Sequence, residues 1–151
     1  MAIRRILVAV DGSKPSIDAS VQAIDIAKRF DAELIALYVV SPDIRYNYLE
    51  DVITPGLPRA MKDVMMIAMQ KGAKHVDKVK QKASEKNVKV KTDVVIGISS
   101  VVKEIVDYAE KNRIDMIVIG SRGLSGIKKM LLGSVANGVV TYAHCPVLVA
   151  K

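Results

Sequence analysis

The sequence predicts an α/β protein: one domain on an open, five-stranded, all-parallel sheet with helices on both faces. Three observations carry this expectation. Five short apolar runs of strand length alternate with stretches of helical periodicity, giving the order βαβαβαβαβ. Most of these runs are continuously apolar rather than alternating, as strands covered on both faces are. Such an order joins parallel strands through helical crossovers. At 151 residues the chain suits a single domain, able to bury one substantial core without disulfides or metals.

Residues 6–10 form the first run, ended by Asp11-Gly12-Ser13. Ile17, Val21, Ile24 and Ala27 then recur at three-to-four spacing, so a helix follows. Ser13 is its expected N-cap. Pro15 is tolerated in the first turn, where its missing N–H has no intrahelical partner. Residues 34–40 are the second strand. Pro42, Pro55, Gly56 and Pro58 break any long element after it, so residues 41–59 are expected to form an extended crossover loop. Met61, Val64, Met65, Ala68, Gly72, Val76, Val79 and Ala83 keep a helical period, with Gly72 weakening the middle by about 1 kcal/mol relative to alanine.

Val88, Val90, Thr92 and Val94 alternate with Lys89, Lys91 and Asp93, which places this third strand near a sheet edge with one face toward water. Gly97 ends it. Ser99 or Ser100 caps a helix whose apolar face is Val102, Ile105, Val106 and Ala109. Residues 115–120 are the fourth strand, 134–142 the last helix and 147–150 the fifth strand. In such sheets ligands bind beyond the carboxyl ends of the strands, where connection direction reverses. Asp11 and Gly120, at the exits of the first and fourth strands, are expected to flank that crevice.

Net charge is +7, from 23 basic and 16 acidic residues. Between Lys71 and Lys91 eight lysines face only Asp77 and Glu85. This stretch is either a polyanion-binding stripe or a solvated helix face. The lysines fall between core positions and no aromatic ring is interleaved to stack on bases, which favours the solvated face, so nucleic acid is not an expected partner. Cys145 is the single cysteine, which argues against a disulfide framework and fits a reducing, cytoplasmic compartment. His75 and His144 stand apart, against a structural zinc site. No apolar stretch approaches the roughly 20 residues of a membrane span, so no membrane partner is expected. Met61, Met65, Met66 and Met69 are either core or an apolar surface for a partner or ligand.

The most informative motif is Gly120-Ser121-Arg122-Gly123, nine residues, then Gly133-Ser134. It lies where a buried strand ends and a helix begins. Glycine at 120 and 123 would let backbone N–H groups approach phosphate oxygens, or permit a turn with φ > 0. Gly133-Ser134 would add unpaired N–H groups and a hydroxyl at a helix N-terminus, where the macrodipole favours an anion. Arg122 either reaches the phosphates or is a plain surface arginine; Lys128 and Lys129 either screen a triphosphate or are solvated loop residues. Asp11 either accepts from a ribose hydroxyl, holds a phosphate-bound Mg²⁺, or simply opens the strand-to-helix turn. The G-x-x-x-x-G-K-[ST], G-x-G-x-x-G and G-x-S-x-G signatures are absent.

The spacing G-x2-G-x9-G-[ST] resembles the nucleotide motif of the universal stress protein family, ATP-binding branch. The likeness extends to residues 6–13, the strand from Asp115 to Gly120, Leu132-Gly133-Ser134-Val135, and the closing Cys145-Pro146-Val147-Leu148-Val149. Only residues 41–70 lack a recognisable pattern. The resemblance implies a Rossmann-like, adenine nucleotide alpha hydrolase-like sheet and an ATP, ADP or AMP ligand with Mg²⁺. It implies Ala9 and Val10 as walls for the base, Val39 as the backbone partner of the adenine edge, and Asp11 as the metal or ribose residue. Gly120, Ser121, Arg122, Gly123, Leu124, Gly126, Gly133, Ser134 and Val135 would make the phosphate end. It also implies a homodimer through the last strand and a stress-response role, with slow ATP hydrolysis in some members. No dedicated base stands out in the sequence, so the expected function is a binding or sensing module, at most a weak ATPase. Two other classes are weighed: an ATP pyrophosphatase-like enzyme, whose S-G-G-x-D-S loop is missing after the first strand, and a basic nucleic-acid-binding module, which would show strongly salt-dependent affinity.

Overall fold

The computed structural model describes residues 2–41, 57–123 and 132–151, with side chains of the helix that opens at Leu57 described from residue 63. Nine elements follow in order: β1 Arg5–Ala9, α1 Lys14–Phe30, β2 Glu33–Val40, α2 Leu57–Glu85, β3 Val90–Ile96, α3 Val101–Lys111, β4 Met116–Gly120, α4 Ser134–Tyr142 and β5 Val147–Ala150. The five strands pair in parallel in the order β3-β2-β1-β4-β5. The expected fold class is the one observed. Its direction reverses between β1 and β4, whose register pairs Ile6 with Met116 and Ala9 with Ile119.

Alternation along the strands divides the core. Ile6 and Val8 face one side, where Ala19, Ala23 and Ile24 of α1 and Val76 and Val79 of α2 cover them. Leu7, Ile35, Leu37 and Ile117 face the other, under Ile105 and Ala109 of α3 and Val139 of α4. Leu7, Ile117 and Val118 are fully buried, as continuous apolar runs require in a doubly covered sheet. Each large aliphatic side chain buried this way contributes about 1.5–3 kcal/mol.

Caps fix the helix starts that position the sheet's carboxyl edge. Ser13 Oγ accepts from Ser16 N–H at 3.3 Å, and Ser100 Oγ accepts from Lys103 N–H at 3.1 Å, so Ser100 rather than Ser99 begins α3. Two boundaries and one burial assignment differ from the sequence expectation. The helix α2 already begins at Leu57, with Pro58 in its first turn, where a missing N–H costs nothing; the expected loop therefore ends earlier, and residues 42–56 lie outside the described residues. The third strand starts at Val90 rather than Val88, because Val88 N–H is still donated to Ala83 O at 2.9 Å in closing α2 after the left-handed Asn87. It does form a sheet edge. Finally, Met66 and Met69 are 57 % and 38 % exposed, surface rather than core, Met65 is half-buried, and the side chain of Met61 lies outside the described residues.

Gly72, expected only to weaken α2, has a reason of its own. A Cβ there would lie 2.5 Å from Cδ1 of Tyr38. The glycine seats the Tyr38 ring against the helix, and that ring stacks in turn on His75, centroids 5.7 Å apart. The lysines between Lys71 and Lys80 are exposed, with Val76 and Val79 beneath them, which is the solvated-face arrangement.

Candidate functional site

A cleft of about 330 Å³ opens at the carboxyl ends of β1, β2 and β4, at the reversal point. One end is apolar, walled by Ala9, Val10, Leu37 and Val39 from the strands and by Val101 and Ile105 from α3. The other end is polar, made by Gly120, Arg122, Gly123, Gly133, Ser134 and Val135. An apolar end beside a polar end matches an amphipathic ligand, and the volume lies at the lower end of the roughly 300–1,000 Å³ usual for small-molecule sites.

The polar end is built from backbone. Gly133 is the N-cap of α4 with φ −66° and ψ 161°, and no side chain caps this helix. Asn137 N–H is donated to Gly133 O at 3.0 Å, so the N–H groups of Ser134, Val135 and Ala136 have no partner among the described residues. No acidic residue stands in the first turn of α4. Free donors, the positive end of the macrodipole and an exposed Arg122 together favour an anion here.

Asp11 stands across from this helix. Its Oδ1 accepts from Ser13 N–H at 2.9 Å, an Asx-type turn that fixes the carboxylate as the chain leaves β1. Asp11 N–H is donated to Ser16 Oγ at 3.3 Å, and Ser16 donates its own proton to Ser13 O at 2.9 Å. The second oxygen, Oδ2, points to the β4 loop, only 2.8 Å from where a Cβ on Gly123 would sit. Burial, and then the Asp11 carboxylate, hold the Tyr38 phenol above its ordinary range. Asp11 is the one acidic side chain lining the cleft among the described residues.

The structure brings together Ala9, Val10, Asp11, Val39, Gly120, Arg122, Gly123, Gly133, Ser134 and Val135 of the sequence-expected set. Ser121 it places elsewhere. Buried at 7 % exposure, Ser121 gives its N–H to Ala150 O at 2.8 Å and takes Gly133 N–H at 2.7 Å, tying the loop to β5 and to the start of α4. Leu124, Gly126, Lys128 and Lys129 lie outside the described residues. The reason for Gly120 also changes. A Cβ at that position would meet the carbonyl carbon and oxygen of Pro15 at 2.9 Å, so this glycine lets β4 pass under α1 rather than admitting a ligand. Neither Gly120 nor Gly123 has positive φ; Gly12 does, at 87°.

Sequence reasoning missed Ser16, Tyr38, Val101, Ile105 and Ala136 as lining residues. Helical period identified Ile105 as apolar-face, but period alone does not separate a residue that walls a cleft from one in the core. His144, on the far side of the molecule, is exposed with Nε2 3.6 Å from Glu110 Oε2, and takes no part in the cleft. Among the described residues no cluster of three or more metal-ligating side chains exists.

The family model described as the universal stress protein family matches residues 2–151. A universal stress protein of Methanocaldococcus jannaschii is 40% identical over 98% of this chain and 82% of its own. The universal stress protein YxiE of Bacillus subtilis is 33% identical over 97% of this chain and 98% of its own. Among solved structures, the universal stress protein UspA from Lactobacillus plantarum superposes with a TM-score of 0.84 at 29% identity, covering 100% of this chain and 99% of that one. Two more distant structures share the fold. A universal stress protein in complex with cAMP has a TM-score of 0.65 at 24% identity, over 100% and 98% of the two chains. One from Archaeoglobus fulgidus in complex with dAMP has a TM-score of 0.62 at 20% identity, over all of both chains.

Proposed function

The chain belongs to the universal stress protein family, and on that premise we propose that it is an adenine-nucleotide-binding sensing module whose ligand occupies the cleft between β1 and β4. The observation that carries this reading is the uncapped N-terminus of α4 facing an apolar slot at the sheet's reversal point. The base lies between Ala9, Val10 and Val39, with the β2 backbone as its edge partner. The phosphates meet the N–H groups of Ser134 and Val135, the Ser134 hydroxyl and the Gly123 backbone. Solved relatives bound to cAMP and dAMP support the adenine class as a whole. For the resident species we propose ATP.

Asp11 fits a Mg²⁺ carried in on the phosphates. One carboxylate with a free oxygen suits an ion that keeps its waters and takes most of its ligands from the nucleotide. When bound, the ion would supply positive charge that neutralises the phosphates. Asp11 would hold it from the β1 side while α4 holds the phosphates from the other. Among the described residues the one carboxylate lining the cleft, Asp11, is given to the metal in this reading, so the role we propose is binding, with at most slow turnover. We further propose a homodimer through the open edge of β5.

Chromatography of small molecules released from freshly purified, denatured protein tests the ligand: an adenine nucleotide is expected, and a preparation that neither carries nor takes up one overturns the reading. Calorimetric titration tests the metal. Mg²⁺ is expected to tighten ATP binding and leave AMP nearly indifferent, and equal dependence for both would remove Asp11 from any metal role.

A further inference from the structure

A second cavity, of about 230 Å³, lies between α1 and α2, bordered by Val10 and Ser16 on the side shared with the cleft. We propose that this cavity binds a small multivalent oxyanion of the phosphate or phosphate-monoester class. The proposal stands apart from the nucleotide reading and does not depend on it.

The cations that serve it come from one helix. His75, Lys78 and Lys82 follow one another at spacings of three and four residues, so they share a face of α2, and all three line the cavity. Lys82 is half-buried and Lys78 exposed at the mouth, yet neither has an ion-pair partner among the described residues. The next lysine along, Lys86, is by contrast paired to Asp25. Two unpaired ammoniums one helical turn apart repel, and a shared anion relieves that repulsion. Glu85 is the one acidic residue on the rim.

The floor is polar where the wall is not. Ser16 and Ser20 are 4 % and 1 % exposed. Their hydroxyl protons go to Ser13 O and Ile17 O, so the donors for an anion are the lysines, His75, Gln81 and the N–H of Gly12. Gly12 is the positive-φ residue of the β1–α1 turn, and its N–H has no partner among the described residues. A Cβ on Gly12 would lie 2.4 Å from the His75 ring, so the missing side chain lets this turn pack against the imidazole at the cavity's edge. The ring is held in turn by its stack on Tyr38.

Chemistry selects the ligand class. No arginine lines the cavity, so recognition falls to point donors, the lysine ammoniums and N–H groups set in several directions, which suit a compact multivalent anion with oxygens in every direction. The volume admits a phosphate with a small organic group and falls short of a nucleotide-sized site.

The test is amide nuclear magnetic resonance of the full chain, titrated with inorganic phosphate and, separately, glycerol phosphate, against sodium chloride at equal ionic strength. Saturable shifts at Gly12, Ser20, His75 and Lys78 are expected, distinct from any at Gly123 and Ser134. The Lys78→Ala, Lys82→Ala double variant, changed only at solvent-reaching side chains, should melt like the parent and weaken that set by about tenfold or more. Tighter saturation by glycerol phosphate than by inorganic phosphate assigns the monoester; the reverse assigns free phosphate. Gly123→Val, which targets the cleft, should leave the set intact. Equal shifts from chloride, or an unchanged affinity in the double variant, would overturn the proposal. Failure of nucleotide binding would leave it standing.

Discussion

Ser134 and Gly120 look alike as members of one motif, yet the structure gives them different work. Ser134 sits at the uncapped start of α4 with its hydroxyl exposed toward the cleft. Ser134→Ala is expected to remove one hydrogen bond to a charged group, about 1.5–3 kcal/mol, or roughly ten- to a hundredfold in ATP affinity, without altering the melting temperature. Gly120→Ala should do the opposite. Its methyl would press on the Pro15 carbonyl, backbone that has no rotamer to yield, costing about 1–3 kcal/mol of stability that a thermal melt would register. A Gly120→Ala protein that melts like the parent would show that β4 and α1 are not in the contact described. Sequence could announce that these glycines mattered, since two glycines, a spacer and Gly133-Ser134 form a pattern. It could not say why. The atoms that exclude a side chain at Gly120, Gly12 and Gly72 belong to Pro15, His75 and Tyr38, and only the folded chain brings them into range.

At the scale of elements, strand identity was the most legible feature, because burial on both faces leaves a continuous apolar run that needs no knowledge of partners. Thus Ile117, Val118 and Ile119 could be read as β4 from composition alone, and all three are buried. Boundaries were less legible. Helix ends depend on where the last hydrogen bonds are made, and the bond from Val88 N–H to Ala83 O that delays β3 has no signature in residue type. β5 carries a consequence of its own. It is the last strand of the sheet, paired with β4 alone among the described residues, and its side chains from Val147 to Val149 are half-buried. An apolar edge with unpaired backbone groups invites strand or face pairing with a second copy. Sedimentation at micromolar concentration should therefore give a dimer. A monomer with and without nucleotide would exclude the proposed pairing.

For the whole molecule, the sheet order places the β1 turn beside the β4 loop and the α4 N-terminus around one cleft, although the first lies more than a hundred residues before the other two in the chain. The positions of Asp11 and Gly120 followed from the alternating order and the reversal rule, before any coordinates. What sequence could not supply was the far wall: Val101, Ile105 and Ala136 reach the cleft through helix packing, and their apolar character is the same as that of core residues. The cleft is also a compromise between its two sides. Asp11 Oδ2 approaches so near the bare Cα of Gly123 that any larger residue there must displace the carboxylate and enter the space before α4.

That geometry yields the most direct measurement. ATP should be titrated calorimetrically, with Mg²⁺ present, into the parent and into Gly123→Val, after circular dichroism and thermal melting have shown the variant to be folded. A branched side chain would sit where its first carbon lies 2.8 Å from Asp11 Oδ2 and where the phosphates approach the amides. The expected result is saturable binding by the parent and no detectable heat of binding by the folded variant. Binding of ATP by folded Gly123→Val with the parent's affinity would contradict the placement of the nucleotide in this cleft.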